Sequence, residues 1–380
     1  MHIVFLNVTG NLGGAERVLL TLLRELRRLR PEFTLTVIAG DSGPLLGSVR
    51  ALGCHAELLP LPEQLKALGD WNAGGRLNIA WQLAVNLPKV LRYRALLRRR
   101  LRALRPDVVQ TNGFKMHVLG ALACPTTAKL IWHIHDFVSN RVVMKTLLRR
   151  FSAHPDMIVA ISETVASDVR LTVRAPANVR TILNSVDLSR PAVFAATDGP
   201  VRIGLVATFA KWKGHRDFLA ALALLPKNLN WQGFIVGAEV YARAASQYTE
   251  SELRNMVAEL GLTEKLEFTG FLADPAPFLE TLDIVVHAST QPEPFGLVIA
   301  EGMAAGRAVV TSSDSIVTHG ENGFVFGMRD AAVLAQALET LARDPALRQR
   351  LGQAARQTAE QKFQPERMAQ QFLDLYEARA

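Results

Sequence analysis

The chain has 380 residues, of which 49% are hydrophobic and 21% charged, with a net charge of +8. That length is too great for one comfortable core and points to two domains, and the composition excludes a disordered chain. No apolar run approaches the ~20 residues of a membrane-spanning helix, and Met1–Val8 has neither a basic start nor a cleavage site, so a cytoplasmic protein is expected.

The first half alternates apolar runs with helical patterns. Residues 2–7, 33–39, 107–111, 129–135, 156–161 and 179–183 read as buried strands, with helices at 15–30, 85–104, 115–123 and 163–173. Strands apolar on both faces that alternate with helices predict a parallel sheet covered by helices. Residues 62–82 fit poorly, and Asp70, Trp71, Asn72, Gly74, Gly75 and Trp81 suggest a mobile loop with aromatic anchors. Cys54 and Cys124 stand far apart without metal-ligand neighbours and read as small buried residues of a reducing compartment.

A stretch rich in Pro, Ala, Asp and Gly, Leu188 to Pro200, reads as a linker. The pattern then restarts, with strands at 201–207, 232–237, 266–270, 283–288 and 308–311. The expected fold is α/β, with two Rossmann-like domains, each a parallel sheet with helices on both faces, facing across a cleft. The domains run over 1–190 and 191–364, and an amphipathic helix over 365–380 carries Met368, Phe372, Leu375 and Tyr376 on its apolar side.

Charge divides unevenly. Residues 1–190 hold 26 Lys/Arg against 13 Asp/Glu, a net of +13, whereas residues 191–380 hold 17 against 22, a net of −5. The halves should therefore meet different partners. Arg92 to Arg105 interleaves with Leu91, Leu96, Leu97, Leu101 and Leu104 as on a basic amphipathic helix. A solvated face and an anionic lipid surface both fit it; no nucleic-acid motif accompanies the charge, and no nucleic-acid partner is expected.

In parallel sheets ligands bind beyond the carboxyl ends of the strands, so the loops there carry the chemistry. After the first strand, Gly13 and Gly14 lead into a helix and let backbone amides approach a phosphate or sugar. The spacing departs from G-x-G-x-x-G, which disfavours a nicotinamide cofactor. His133 and His135 share a strand face, as a metal pair would, but a clear third ligand is lacking; His135 points better into a cleft. Lys213 precedes a glycine at a strand-to-helix turn, where an ammonium can pair with phosphate oxygens, and Lys211 is a second cation. The loop after 266–270, at Phe271 and Leu272, offers backbone for a planar base. His287 and Ser289 lack an acid partner and read as structural, not as a hydrolase dyad. Glu293 and Glu301 flank a Pro-Phe-Gly turn and a helix start, which alone is compatible with a capped helix carrying ordinary glutamates.

Taken together these loops resemble the retaining GT-B glycosyltransferases of family four, across nearly the whole chain. The resemblance rests on Gly13-Gly14-Ala15-Glu16, His135-Asp136, Ala160-Ile161-Ser162-Glu163, Asn184-Ser185-Val186-Asp187 and Lys213-Gly214. It continues through Glu293-Pro294-Phe295-Gly296-Leu297 with Glu301, and His319-Gly320-Glu321-Asn322-Gly323-Phe324. It implies metal-independent transfer of a hexose-type sugar from a nucleoside-diphosphate sugar, UDP- or GDP-linked, to a saccharide, lipid-linked or anionic acceptor. The donor is a substrate, and no cofactor is implied. By position, Glu293 and the amides of Phe295, Gly296 and Leu297 would hold donor-sugar hydroxyls, and Glu301 the ribose. Lys213 would meet the leaving diphosphate, Gly14 the phosphate or sugar, and His135 the sugar near the reacting carbon; Gly13, Thr208, Phe271 and Leu272 complete the donor set. The catalytic group would be His135, Glu293 and Lys213, and the terminal helix would cross back to the first domain.

Two departures stand out. The family usually has an Arg where this chain has Thr208, leaving Lys211 to supply a second charge. The segment Thr311 to Thr318 is about four or five residues shorter than the family's Gly-Gly-containing loop. Rival readings are a nucleotide-sugar epimerase or phosphorylase, or a nucleotide-sugar-binding protein without catalysis.

Overall fold

The computed structural model describes residues 1–67, 76–192, 194, 199–239 and 246–378, with backbone alone at 67 and 76–84. It divides into two compact units, Met1–Asn184 with Pro365–Ala380, and Ser185–Gln364.

In the first unit the strands are β1 (His2–Asn7), β2 (Thr34–Ala39), β3 (His55–Leu58), β4 (Val108–Asn112), β5 (Lys129–Ile134), β6 (Met157–Ala160) and β7 (Val179–Thr181). They lie in the order β3-β2-β1-β4-β5-β6-β7, every neighbour parallel. Ile3, Val4, Phe5 and Leu6 of β1 are wholly buried, as expected for a central strand covered on both faces. The helices are α1 (Gly14–Leu29), α2 (Pro44–Ala51), α3 (Glu63–Ala67), α4 (Arg76–Leu104), α5 (Phe114–Ala123), α6 (Val142–Phe151) and α7 (Glu163–Thr172). Val18, Leu19, Leu22, Leu23 and Leu26 form the buried stripe of α1. Ser162 caps α7, its Oγ accepting from the Val165 amide at 3.2 Å.

The expected loop over 62–82 is corrected at both ends, because α3 occupies 63–67 and α4 starts at Arg76 and carries Pro88 within it. Asp70, Trp71, Asn72, Gly74 and Gly75 lie outside the described residues, as does the side chain of Trp81. Along α4, Tyr93, Leu97 and Leu101 turn inward, whereas Leu91 and Leu96 remain exposed. Cys54 is buried and Cys124 half-buried, and both are free thiols.

In the second unit the strands are β8 (Val201–Val206), β9 (Trp231–Val236), β10 (Leu266–Gly270), β11 (Ile284–His287), β12 (Ala308–Thr311) and β13 (Phe324–Val325). Their order is β10-β9-β8-β11-β12-β13, again parallel throughout. The helices are α8 (His215–Ala223), α9 (Glu250–Glu259), α10 (Ala276–Leu279), α11 (Leu297–Ala304), α12 (Ala331–Arg343) and α13 (Pro345–Lys362). Ile203, Leu205, Phe218, Leu222, Ile284, Val286, Val310 and Leu338 belong to the core around the sheet. The chain passes between units earlier than the composition break, because Arg356 of α13 donates to the carbonyls of Leu188 and Arg190 and ties that segment to the second unit.

The last helix, α14 (Pro365–Glu377), belongs to the first unit. Met368, Ala369, Phe372, Leu373 and Tyr376 are buried, so Leu373 takes the inward place the sequence reading gave to Leu375. Lys129 Nζ donates to the Leu375 carbonyl at 3.0 Å, and the Tyr376 hydroxyl donates to Gln110 on β4. The Phe372 ring meets His133 edge-on at 5.0 Å. Phe372→Ala should therefore cost the protein about 3–5 kcal/mol of stability, as truncation of a fully buried aromatic does. Urea denaturation checks this; a loss below about 1 kcal/mol would mean that α14 adds little to the unit it covers.

Candidate active site

In each sheet the strand order reverses once, between β1 and β4 in the first unit and between β8 and β11 in the second. Helices leave to opposite faces at such a point, which opens a crevice beyond the carboxyl ends of the two strands. In the second unit the loops bordering it are those after β8 and β11, and they carry Lys213 and Glu293.

These loops are laced together. Gly214 has a φ of 74°, and a Cβ there would lie 1.7 Å from the Ala288 carbonyl oxygen, so only glycine lets the loops approach this closely. The Thr290 amide and the Ser289 hydroxyl both donate to the Trp212 carbonyl, at 2.7 and 3.1 Å. On this frame Lys213 Nζ lies 2.9 Å from Glu293 Oε2, and His287 Nε2 lies 3.0 Å from the same oxygen. Burial by itself would raise the Glu293 carboxyl, but the His287 hydrogen bond and the Lys213 charge outweigh it and hold the group down at about 2. His287 stays below its ordinary range because burial outweighs the Glu293 pairing, so the neutral imidazole donates Nε2–H to the carboxylate.

Gly296, with a φ of 85°, ends the turn and starts α11 without a side chain to cap it. The Ile299 and Ala300 amides close on the Gly296 carbonyl, at 3.0 and 3.1 Å, which leaves the amides of the first helical positions facing outward. Phe295 is buried, and its carbonyl receives the Ser315 hydroxyl at 3.0 Å. Leu297 and Glu301 are half-buried on α11. Phe271 is exposed and Leu272 half-buried after β10, the edge strand.

Thr208 follows β8 with its hydroxyl buried and, among the described residues, without a hydrogen-bond partner. Lys211 holds its ammonium over the Tyr248 ring, 5.6 Å from the centroid. The short segment after β12 is laced by its serines: Ser312 donates to the Ser289 carbonyl at 2.7 Å, and Ser313 to Ser315 at 3.1 Å. In the His319–Phe324 stretch, Asn322 accepts from the Thr318 amide at 2.7 Å and donates to Thr358 at 3.1 Å, which makes it a turn-holder before β13.

In the first unit, Gly13 and Gly14 are exposed at the start of α1. Glu16 fixes this loop, one carboxylate oxygen accepting from the Gly13 amide at 3.0 Å and the other from Asn7 at 3.1 Å. His135 is half-buried just after β5, its ring 4.0 Å from that of His133. His133 lies between Gln110, at 3.3 Å, and Phe372, whose ring it meets edge-on. Among the described residues, no group of three His, Cys, Asp or Glu side chains is placed to hold a metal. One reading is corrected here. His287 does have an acid partner, Glu293, which the turn after Pro292 swings back against the end of β11. Ser289 donates elsewhere, so the two form no hydrolase dyad. A His six positions ahead of a motif glutamate was the signal in the sequence.

Residues 12–190 match the family model Glycosyltransferase Family 4, and residues 190–358 match Glycosyl transferases group 1. The chain belongs to this glycosyltransferase family. Its curated relatives include two proteins of Rhizobium meliloti named as lipopolysaccharide core biosynthesis glycosyltransferases. LpsE is 28% identical over 50% of this chain and 53% of its own length, and LpsD is 24% identical over 74% and 78%. The match thus spans about half of the first relative. The Anabaena protein HepE, solved with UDP, superposes with a TM-score of 0.80 at 22% identity, covering 99% of each chain. The expected α/β fold and the family resemblance are borne out, and the fold is GT-B.

Three buried histidines and the half-buried His135 give this glycosyltransferase a pH dependence. Burial pushes His117 down to about 3 and His135 and His215 to about 4, and holds His133 well below 6.5; the clustering of His117, His133 and His135 further disfavours protonation of the first two, and the Lys213 charge adds to the effect at His215. Each is neutral in the folded chain at pH values where its unfolded counterpart, near 6.5, takes up a proton. Stability is therefore full above pH 6.5 and falls as the pH drops toward 4. Thermal unfolding between pH 7.5 and 4.5 should show this decline, and His117→Asn should flatten it by about 1 kcal/mol per pH unit. Asn keeps a polar atom near Thr111 Oγ1, which lies 2.6 Å from His117 Nδ1.

Proposed function

We propose that this glycosyltransferase moves a hexose-type sugar from a UDP- or GDP-linked donor to a hydroxyl of a saccharide or lipid-linked acceptor, with the anomeric configuration retained. The observation that carries the reading is the Glu293 carboxylate, kept ionised and braced by Lys213 beside the uncapped N-terminus of α11. Breaking a bond between a sugar and a diphosphate develops positive charge on the sugar and negative charge on the departing phosphate. Lys213 and the outward amides of α11 suit the phosphate, and Glu293 suits the sugar hydroxyls. No step here requires a metal. Glu301 takes the ribose, and the backbone at Phe271 and Leu272 takes the base; Gly14 and His135 are assigned to phosphate and sugar on the resemblance. The acidic second unit then binds the donor, and the basic first unit binds the acceptor.

Glu293→Gln should lower kcat/KM at least about 100-fold, and Lys213→Ala should lower kcat by a comparable factor, in radiolabelled transfer assays. A thermal-shift panel of UDP- and GDP-sugars identifies the donor first. If no member of the panel binds or turns over, the reading fails. One observation favours a second reading, a nucleotide-sugar-binding protein without turnover: Thr208 puts a neutral side chain where the family usually has an Arg. A wild type that binds a donor but never hydrolyses or transfers it would support that alternative.

LpsE and LpsD are named for lipopolysaccharide core biosynthesis, and for this chain we propose an anionic, lipid-anchored saccharide as acceptor. Such an acceptor suits the net +13 of residues 1–190. Residues 71–106 contain nine Lys/Arg and no Asp/Glu. On α4, Val85, Leu87, Leu91 and Leu96 are 46–53% exposed among those cations. An anionic membrane surface is the partner this face fits. Among the described residues, no helix is long and apolar enough to cross a membrane. The protein should sediment with vesicles containing phosphatidylglycerol, less at physiological than at low salt, and not with neutral vesicles. Absence of binding at either salt would remove the membrane from the proposal.

A further inference from the structure

His287 stands outside the residues by which the family resemblance is recognised, yet it makes the contact that fixes their leading carboxylate. Three hydrogen bonds run in series. The Ser313 amide donates to Thr311 Oγ1 at 3.0 Å. Thr311 Oγ1 lies 3.1 Å from His287 Nδ1, and His287 Nε2 lies 3.0 Å from Glu293 Oε2. The polarity of the series is determined. Because an ionised carboxylate can only accept, the proton of the neutral imidazole is on Nε2, aimed at Glu293; Nδ1 then accepts from the Thr311 hydroxyl, whose oxygen in turn accepts from the Ser313 amide. Thr311 and His287 are register partners on parallel strands β12 and β11, so the sheet itself sets their separation.

Both donors to Glu293, His287 and Lys213, arrive on Oε2; among the described contacts none arrives on Oε1. The carboxylate is therefore held by one oxygen and presents the other. The lysine is the mobile one of the two holders, since an ammonium on a long stem can turn toward an arriving phosphate, whereas His287 is 3% exposed and locked by Thr311.

We propose that His287 is a positioning residue for Glu293: through the Thr311 relay it keeps Oε2 engaged after Lys213 has turned to the diphosphate, so that Oε1 meets the donor-sugar hydroxyls in one fixed orientation. This rests on the donor-site reading above and adds a residue through which it works. The role concerns the sugar and not the nucleotide, and that difference makes it testable.

Binding is measured by calorimetry with two pairs of probes, UDP with UDP-glucose and GDP with GDP-mannose, keeping the pair that the wild type binds. His287→Leu should weaken the nucleotide sugar about tenfold or more while changing the bare nucleoside diphosphate less than about twofold. His287→Gln, which can still donate to Glu293, should recover most of the loss. Thr311→Val should weaken the nucleotide sugar in the same selective way, and Thr311→Ser should restore it. In a Glu293→Gln background, His287→Leu should add little, because the group it serves has lost its charge. Equal weakening of sugar and nucleotide, or none, overturns the positioning role; the Thr311 variants decide the matter if His287→Leu does not fold. A wild type that binds neither pair overturns the donor-site reading itself and this role with it.

Discussion

Parallel pairing places a single constraint on both units, and the site follows from it. A strand that pairs parallel to its predecessor must be reached by a crossover, so every loop leaving a carboxyl end emerges on the same edge of the sheet. Where the order reverses, at β8 and β11, the outgoing helices part and the two loops are left side by side. Lys213 and Glu293, 80 positions apart, meet because of that geometry. The approach of Gly214 to Ala288 then sets how tightly the loops can close, and the hydrogen bonds to the Trp212 carbonyl keep them closed.

Electrostatics imposes the second condition. A carboxylate as enclosed as Glu293 loses much of its hydration, and it remains ionised only because donors replace the lost water. An ammonium and a neutral imidazole serve differently here. The ammonium supplies charge, which a diphosphate can draw away; the imidazole supplies a directional bond that a ligand cannot compete for, since both its nitrogens are already engaged inside the protein. Preorganisation of this kind, paid for during folding, is what makes fixed dipoles effective at a reacting centre.

Much of the fold was legible because parallel strands buried on both faces write themselves as unbroken apolar runs, as in β1, β2, β8 and β11. The elements that escaped lack that mark. β3 reads His-Ala-Glu-Leu and is an edge strand with mixed faces, β13 has only two residues, and α2 contains Gly47. α6 begins with two valines, residues of low helical propensity, and carries Arg149 and Arg150 in its last turn. At the site, Lys213, Glu293 and the Pro-Phe-Gly turn were visible as types of residue in a suggestive order. The part played by His287 was hidden, because it depends on a β11–β12 register and on a turn that folds Glu293 back, neither of which spacing alone reveals.

The return of α14 to the first unit has a consequence for the order in which the protein is made. A ribosome delivers Met1–Asn184 before the second unit, but the helix that covers Gln110, Lys129 and His133 is encoded after the whole of it. Throughout synthesis of residues 185–364 the first sheet keeps an apolar bed without its cover, a surface for chaperones and a hazard for aggregation. The first unit is thus completed only after the second has been made, by a helix of thirteen residues.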